Sequence, residues 1–151
     1  MDVLYYFHGF NSGIPADLST SPKISAVSDF CGANGLRFEP RNIDYRRADE
    51  HAVRLLRQAA VHKGQVIFCG GSMGGWFARV MQLSFLDRNK GADTVAIAFN
   101  PAFNLSEFSH YLEGPQENYV TGERYVFSPE HGERLVHLEA SVDYRSTAPF
   151  W

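Results

Sequence analysis

The chain has 151 residues, of which 44% are hydrophobic and 21% charged, as is ordinary for a single globular domain that spans residues 1–151. A formal net charge of −3 and the scatter of the lysines and arginines argue against a nucleic-acid-binding surface. The N-terminus lacks a basic segment ahead of its short apolar run, and no stretch reaches the length of a membrane span. A cytoplasmic protein with no membrane partner is therefore predicted.

Strands and helices are predicted to alternate along the first hundred residues. Runs of β-branched and aromatic residues that end at glycine, proline or asparagine indicate strands, and apolar residues three and four positions apart indicate helices. The predicted strands cover residues 3–7, 36–39, 65–69 and 94–99, and the predicted helices begin near residues 21, 49 and 73. This alternation predicts an α/β fold of three layers, in which helices cover both faces of a mostly parallel central sheet. In such sheets, functional residues follow the carboxyl ends of the strands.

The pattern is less regular after residue 100. Residues 105–112 indicate a short amphipathic helix, residues 113–123 a polar loop and residues 125–127 a short strand. Ser128-Pro129-Glu130 is predicted to cap a helical turn, because serine is a good N-cap and proline suits the first helical position. An apolar run at residues 135–138 indicates a further strand. Residues 101–123 are interpreted as a lid or a loop insertion in the domain.

The chain contains two cysteines, Cys31 and Cys69. Cys69 ends a predicted buried strand, so we expect a buried free thiol there rather than a disulfide partner. Neither the cysteines nor the six scattered histidines show the spacing of metal ligands. The sequence therefore predicts no metal site.

The most informative motif is Gly70-Gly71-Ser72-Met73-Gly74, which lies between a predicted strand and a predicted helix. A serine at the apex of a sharp strand–turn–helix is the layout of the nucleophile elbow in α/β-hydrolases. Gly70 and Gly74 would provide the close approach of strand and helix that such a turn requires. The motif predicts Ser72 as a nucleophile. The alternative is a glycine-rich turn that only packs the helix against the strand.

A second motif, His8-Gly9-Phe10-Asn11, directly follows the first strand. In α/β-hydrolases this loop provides one backbone N–H of the oxyanion hole, and the residue after the nucleophile provides another. The corresponding residues here are Phe10 and Met73. The alternative is that His8 and Gly9 simply turn the chain.

Four separated segments together carry a resemblance to a known family. They are Tyr5-Tyr6-Phe7-His8-Gly9-Phe10-Asn11-Ser12, Gly71-Ser72-Met73-Gly74-Gly75-Trp76, Asn100-Pro101-Ala102 and Thr121-Gly122-Glu123-Arg124-Tyr125. Between the first residues and about Arg145, the chain resembles the YqiA-like small bacterial esterases, an α/β-hydrolase group. The resemblance implies hydrolysis of short acyl esters, or of thioesters, through an acyl-enzyme and without a cofactor. The apolar residues of 99–112 would then line an acyl pocket or form a lid, and the alternative is that they belong to an ordinary core; they include Phe99, Phe103, Leu105 and Phe108.

The resemblance also suggests where the other catalytic groups should lie. In the family, the catalytic aspartate stands four residues before an Asp-Tyr-Arg, which assigns the acid here to Glu139, with Asp143 as the competing residue. The family's histidine base follows the acid after a further helix and strand, whereas no histidine follows His137 here. The histidines that are present could substitute as the base, but each is interpreted as a structural or surface residue; they are His8, His51, His62, His110, His131 and His137.

Two further expectations follow from this reading. A sheet that lacks its last strand would leave an open edge, which predicts a homodimer formed through that edge. A serine without its base would be a poor nucleophile, so the alternative function is a catalytically weak or inactive hydrolase fold that binds a partner protein or a small ligand.

Overall fold

The computed structural model describes residues 1–151 and has four parallel strands at its centre. The strands are β1 (Val3–Phe7), β2 (Arg37–Arg41), β3 (Val66–Gly71) and β4 (Thr94–Phe99), in the order β2-β1-β3-β4. The helices are α1 (Pro22–Ala33), α2 (Ala48–Ala59), α3 (Met73–Arg88), α4 (Leu105–Phe108) and α5 (Pro129–Ala140). A separate antiparallel pair is formed by β5 (Gly114–Glu117) and β6 (Arg124–Phe127). The predicted α/β fold with a parallel sheet is confirmed.

Helices cover the sheet on both faces, which makes three layers. Every residue of β1 and β3 is buried, because both strands are central and packed on each side. Side chains alternate along β1, so Tyr5 and Phe7 join the larger core with α2, α3 and α5. Tyr6 lies on the other face, in a smaller core with Ile24 of α1.

The order of the strands places a topological switch between β1 and β3. The chain leaves β1 for β2 on one side through α1, and then crosses back to β3 on the other side through α2. Ligand sites in open α/β sheets form at the carboxyl ends of the strands where the order reverses. The residues that follow β1 and β3 are His8-Gly9 and Ser72.

Three details differ from the prediction. Strand β2 continues through Pro40 to Arg41, because an edge strand tolerates a residue without an N–H. The predicted loop 113–123 contains a short strand, β5, whose pairing with β6 a local pattern does not show. The predicted strand 135–138 is wrong, since these residues lie in α5.

Residues 135–138 form part of helix α5 and not a strand, for two local reasons. The Ser128 side chain accepts a hydrogen bond from His131 N–H, and Pro129 occupies the first turn, so the capped turn that the sequence predicts continues as a helix. The inward positions Gly132, Leu135 and Glu139 are three and four residues apart, which is a helical and not an alternating spacing.

The C-terminal residues lie along the outer edge of β4. Ala96 N–H donates to Pro149 O at 3.1 Å, Trp151 N–H donates to Ala96 O at 3.0 Å and Ala98 N–H donates to Trp151 O at 2.7 Å. The edge that was predicted to be open is therefore hydrogen-bonded at these residues. The homodimer through this edge stays a prediction, with less unpaired backbone available to it.

Both cysteines are buried free thiols, as predicted for Cys69. Burial raises the pKa of the Cys69 thiol to about 12, and burial likewise raises the pKa of Cys31. Both side chains belong to the core between the sheet and α1, where they act as small apolar residues. None of the helices combines the length and the apolar composition needed to cross a membrane.

Candidate active site

Ser72 lies at the apex of a sharp turn between β3 and α3. Its backbone has φ 52° and ψ −120°, a conformation that costs a non-glycine residue about 1–3 kcal/mol. The turn is held from both sides, since Ser72 N–H donates to Phe99 O at 2.8 Å and Ser72 O accepts from Ala102 N–H at 3.1 Å. The side chain is exposed and makes no hydrogen bond that caps α3. A strained backbone conformation that neighbouring hydrogen bonds maintain at an exposed serine is typical of a functional turn.

The glycines of the motif allow α3 to begin directly against the end of β1. A Cβ on Gly74 would overlap the carbonyl oxygen of Phe7 and lie 2.6 Å from that of His8. A Cβ on Gly70 would overlap the carbonyl of Gly74. Both positions therefore need glycine for lack of space, as the sequence motif predicts.

The turn after β1 lies against Ser72. The register of β1 and β3 pairs Phe7 with Gly70, so the residues that follow the two strands become neighbours. A Cβ on Gly9 would lie 3.5 Å from Ser72 Cβ. Phe10 is fixed by edge-to-face contact with Phe127, at 5.4 Å between ring centroids.

Two backbone N–H groups near Ser72 have no acceptor within the protein. Phe10 N–H makes none of the backbone hydrogen bonds of the loops and turns. Met73 N–H belongs to the first turn of α3, where no preceding helical carbonyl exists to accept it. These are the two amides assigned to the oxyanion hole from the sequence.

His8 orients this turn with both of its ring nitrogens. Its Nε2 accepts from Ile43 N–H at 2.9 Å, which places the proton of the neutral ring on Nδ1, 2.7 Å from Gly9 O. The Tyr45 hydroxyl donates to the His8 carbonyl. Burial lowers the pKa of His8, so the neutral ring is favoured. With both nitrogens engaged, His8 holds the loop and has no free nitrogen for Ser72.

The structure places Glu139 on the last turn of α5 and not in a loop after a strand. Its Oε2 accepts from Trp76 Nε1–H at 3.0 Å, and its Oε1 accepts from Leu105 N–H at 2.9 Å. Trp76 and Leu105 are fully buried. Glu139 lines a cavity with Arg79, Phe103 and Tyr144, whereas Ser72 lines a different one. Glu139 therefore joins α5 to α3 and α4 and satisfies two buried donors.

We expect Glu139→Ala to lower the free energy of unfolding by about 3 kcal/mol, because it leaves the buried Trp76 indole N–H and Leu105 N–H without an acceptor. Urea unfolding followed by tryptophan fluorescence measures the change. Glu133→Ala on the exposed side of α5 is the matched control, with an expected effect below about 0.5 kcal/mol. If Glu139→Gln kept the stability but lowered ester turnover ~10³-fold or more, Glu139 would be the triad acid and not only a structural link.

The other predicted acid and four further histidines lie elsewhere. Asp143 is exposed and forms an ion pair with Arg145 at 2.9 Å. His137 is exposed on α5, and His131 completes the cap of the same helix. His62 contacts the Tyr5 hydroxyl at 3.1 Å, and His51 accepts from Asp44 N–H. None of them lines the cavity that contains Ser72.

The segment interpreted as a lid contacts the loop beside Ser72. Tyr119 N–H donates to Asn11 O at 2.9 Å, and Asn118 Nδ2 donates to Ser12 O at 2.9 Å. Val120 reaches the cavity of Ser72. Of the apolar residues proposed for an acyl pocket, Leu105 is fully buried in the core and Phe103 lines the cavity of Glu139.

The cavity at Ser72 has a volume of about 780 Å³ and contains two groups that the sequence analysis did not single out, Tyr6 and Lys23. Neither belongs to a motif. The register of β1 against β3 brings Tyr6 to this edge, and the start of α1 brings Lys23 there. Their position beside Ser72 depends on the packing of segments that are distant in the sequence, so no local sequence pattern indicates it. No three His, Cys, Asp or Glu side chains come together as a metal-binding group.

The fold and the turn define the class of protein: a three-layer α/β protein with a strained serine at the carboxyl edge of a parallel sheet. The chain belongs to the uncharacterised protein family UPF0227, since the model of that family matches residues 3–148. The matched region includes the turn after β1, Ser72 and α5. No curated protein matches the chain.

Proposed function

We propose that the protein is a serine hydrolase that cleaves small carboxylic esters, or thioesters, through an acyl-enzyme on Ser72. The observation that carries this proposal is the strained, exposed Ser72 beside two unpaired amides, those of Phe10 and Met73. The resemblance of the motifs to the YqiA-like esterases points in the same direction. Hydrolases of this kind need no cofactor.

The reaction proceeds in two steps. Ser72 Oγ forms a bond to the carbonyl carbon and loses its proton, while the alcohol or thiol leaves with a proton. Water then attacks the acyl-enzyme, releases the acid and restores the Ser72 hydroxyl. In both steps a negative charge develops on the carbonyl oxygen. The N–H groups of Phe10 and Met73 would stabilise this charge, since they have no other acceptor.

A second candidate is a protein that keeps the elbow but binds a small ligand or a partner with little or no turnover. Two observations favour it. No imidazole nitrogen is free beside Ser72, since both nitrogens of His8 are engaged. The Glu139 carboxylate is occupied by Trp76 and Leu105. A serine without a base is a weak nucleophile.

Covalent labelling distinguishes the two functions. We expect a fluorophosphonate probe to modify the folded protein at a single site, and peptide mass spectrometry to locate the adduct on Ser72. The same preparation should hydrolyse 4-nitrophenyl butyrate. A folded protein that is neither labelled nor able to turn over the ester would exclude the hydrolase and favour the binding function.

A further inference from the structure

The cavity beside Ser72 carries one positive charge and no negative one. Its wall includes the ammonium group of Lys23, and no aspartate or glutamate lines it. Lys23 takes part in none of the ion pairs of the protein, which join other basic residues to carboxylates. The ammonium group lies 5.8 Å from the centroid of the Phe99 ring, a contact that orients it without neutralising it.

The charge lies next to the nucleophile. A Cβ on Gly71, the residue before Ser72, would lie 3.2 Å from Lys23 Nζ. The same position would lie 3.7 Å from the Tyr6 hydroxyl. An ammonium group and a hydroxyl therefore meet over the backbone that leads into Ser72.

Tyr6 presents an unpaired hydroxyl to the cavity. The residue is 3% exposed, yet its hydroxyl makes no hydrogen bond with another group of the protein and opens into the cavity. Burial raises the pKa of Tyr6 to about 12, which keeps the hydroxyl protonated and able to donate. Because the hydroxyl has no acceptor within the protein and faces the cavity, it is free to donate to an anionic group of a ligand.

We infer that Lys23 and Tyr6 bind an anionic group of the substrate, so that the enzyme prefers esters that carry a carboxylate close to the reacting carbonyl. The inference rests on the proposed hydrolysis at Ser72 and deepens it, since it names the class of substrate. Lys23 contributes the charge and Tyr6 a second hydrogen bond to one carboxylate. Neither side chain takes part in bond breaking, so both are specificity residues.

Three chromogenic esters test the inference and locate the charge. 4-Nitrophenyl butyrate is neutral, mono-4-nitrophenyl glutarate carries a carboxylate on the acyl part, and 3-carboxy-4-nitrophenyl butyrate carries it on the leaving group. We expect Lys23→Met to lower kcat/KM about 10-fold for one of the two charged esters, through KM, and to leave the neutral ester within about 2-fold. The ester that is affected identifies which side of the substrate bears the anion.

Control variants separate the charge from other effects. Lys23→Arg should keep the preference for the charged ester over the neutral one. Tyr6→Phe should lower this preference, measured as the ratio of the two kcat/KM values, about 3-fold. Lys63→Met removes an exposed charge just before β3, at the opposite end of the sheet, and should have no effect. Equal losses on all three esters, or an unchanged preference in Lys23→Met, would overturn the inference and leave hydrolysis at Ser72 intact.

A binding measurement keeps the inference testable if the wild type hydrolyses none of the esters. Glutarate should raise the Tm of the wild type and of Ser72→Ala, and should not raise that of Lys23→Met. The absence of such a rise in all three proteins would overturn the anion site. A rise without turnover and without fluorophosphonate labelling would instead preserve the anion site and exclude the hydrolase.

Discussion

Replacing Ser72 by alanine should abolish fluorophosphonate labelling and lower kcat/KM for 4-nitrophenyl butyrate by ~10³-fold or more. The substitution removes the hydroxyl that would form the acyl-enzyme in the proposed function, whereas the Phe10 and Met73 amides remain. Steady-state kinetics of purified protein, with labelling read in a gel and by mass spectrometry, measure the loss. Stability should not fall, since the Ser72 hydroxyl does not cap α3 and the strained backbone is held by Phe99 and Ala102.

Ser84→Ala is the matched control for this experiment. It makes the same chemical change farther along α3, away from the cavity of Ser72. Rates within about 2-fold of the wild type are expected for it. Ester turnover that persists unchanged in Ser72→Ala would show that a contaminating esterase or another nucleophile is responsible, and would exclude Ser72 as the nucleophile.

Replacing Gly74 by alanine should destabilise the protein by about 3 kcal/mol or more. The added Cβ would overlap the Phe7 carbonyl and lie 2.6 Å from the His8 carbonyl, and neither backbone group can rotate away as a side chain could. To relieve the overlap, α3 would have to move from the end of β1, which also separates the Met73 amide from the turn of Phe10. Urea unfolding and the yield of soluble protein measure the effect.

Gly32→Ala provides the comparison, because a Cβ at this position in α1 would meet nothing within 4 Å. We expect it to stabilise the protein by about 0.5–1 kcal/mol, since alanine favours a helix over glycine. If Gly74→Ala were as stable as Gly32→Ala, the close packing of α3 against β1 would be wrong, and with it the geometry of the turn at Ser72.

The elements of the sheet could be predicted because their signals are local. Strand β4 was predicted at its observed bounds, and β1 likewise, since each is a continuous apolar run that ends at residues typical of turns. Helix α1 follows from a serine–proline start and a glycine-rich end. The motif at Gly70–Gly74 predicts the turn, because only glycine fits where α3 passes within contact of the Phe7 and His8 carbonyls.

Helix α5 shows where a local pattern misleads. The run at 135–138 is apolar and short, which suits a strand as well as one turn of a helix. The N-cap at Ser128 and the packing of Leu135 in the core stabilise the helix. Glu139, which the sequence predicts in a loop, therefore lies on a face of α5. There its two carboxylate oxygens accept hydrogen bonds from Trp76 Nε1–H and Leu105 N–H.

The sequence by itself determined the class of fold and the position of the serine turn, because alternating apolar segments and a glycine motif act through neighbouring residues. The tertiary structure alone decided what surrounds Ser72. The register of β1 on β3 brings Gly9 against it, and hydrogen bonds from both ring nitrogens of His8 hold the turn that contains Gly9. The start of α1 places Lys23 over Gly71, a contact between residues far apart in the chain. Such contacts depend on how the layers pack, and no local pattern specifies them.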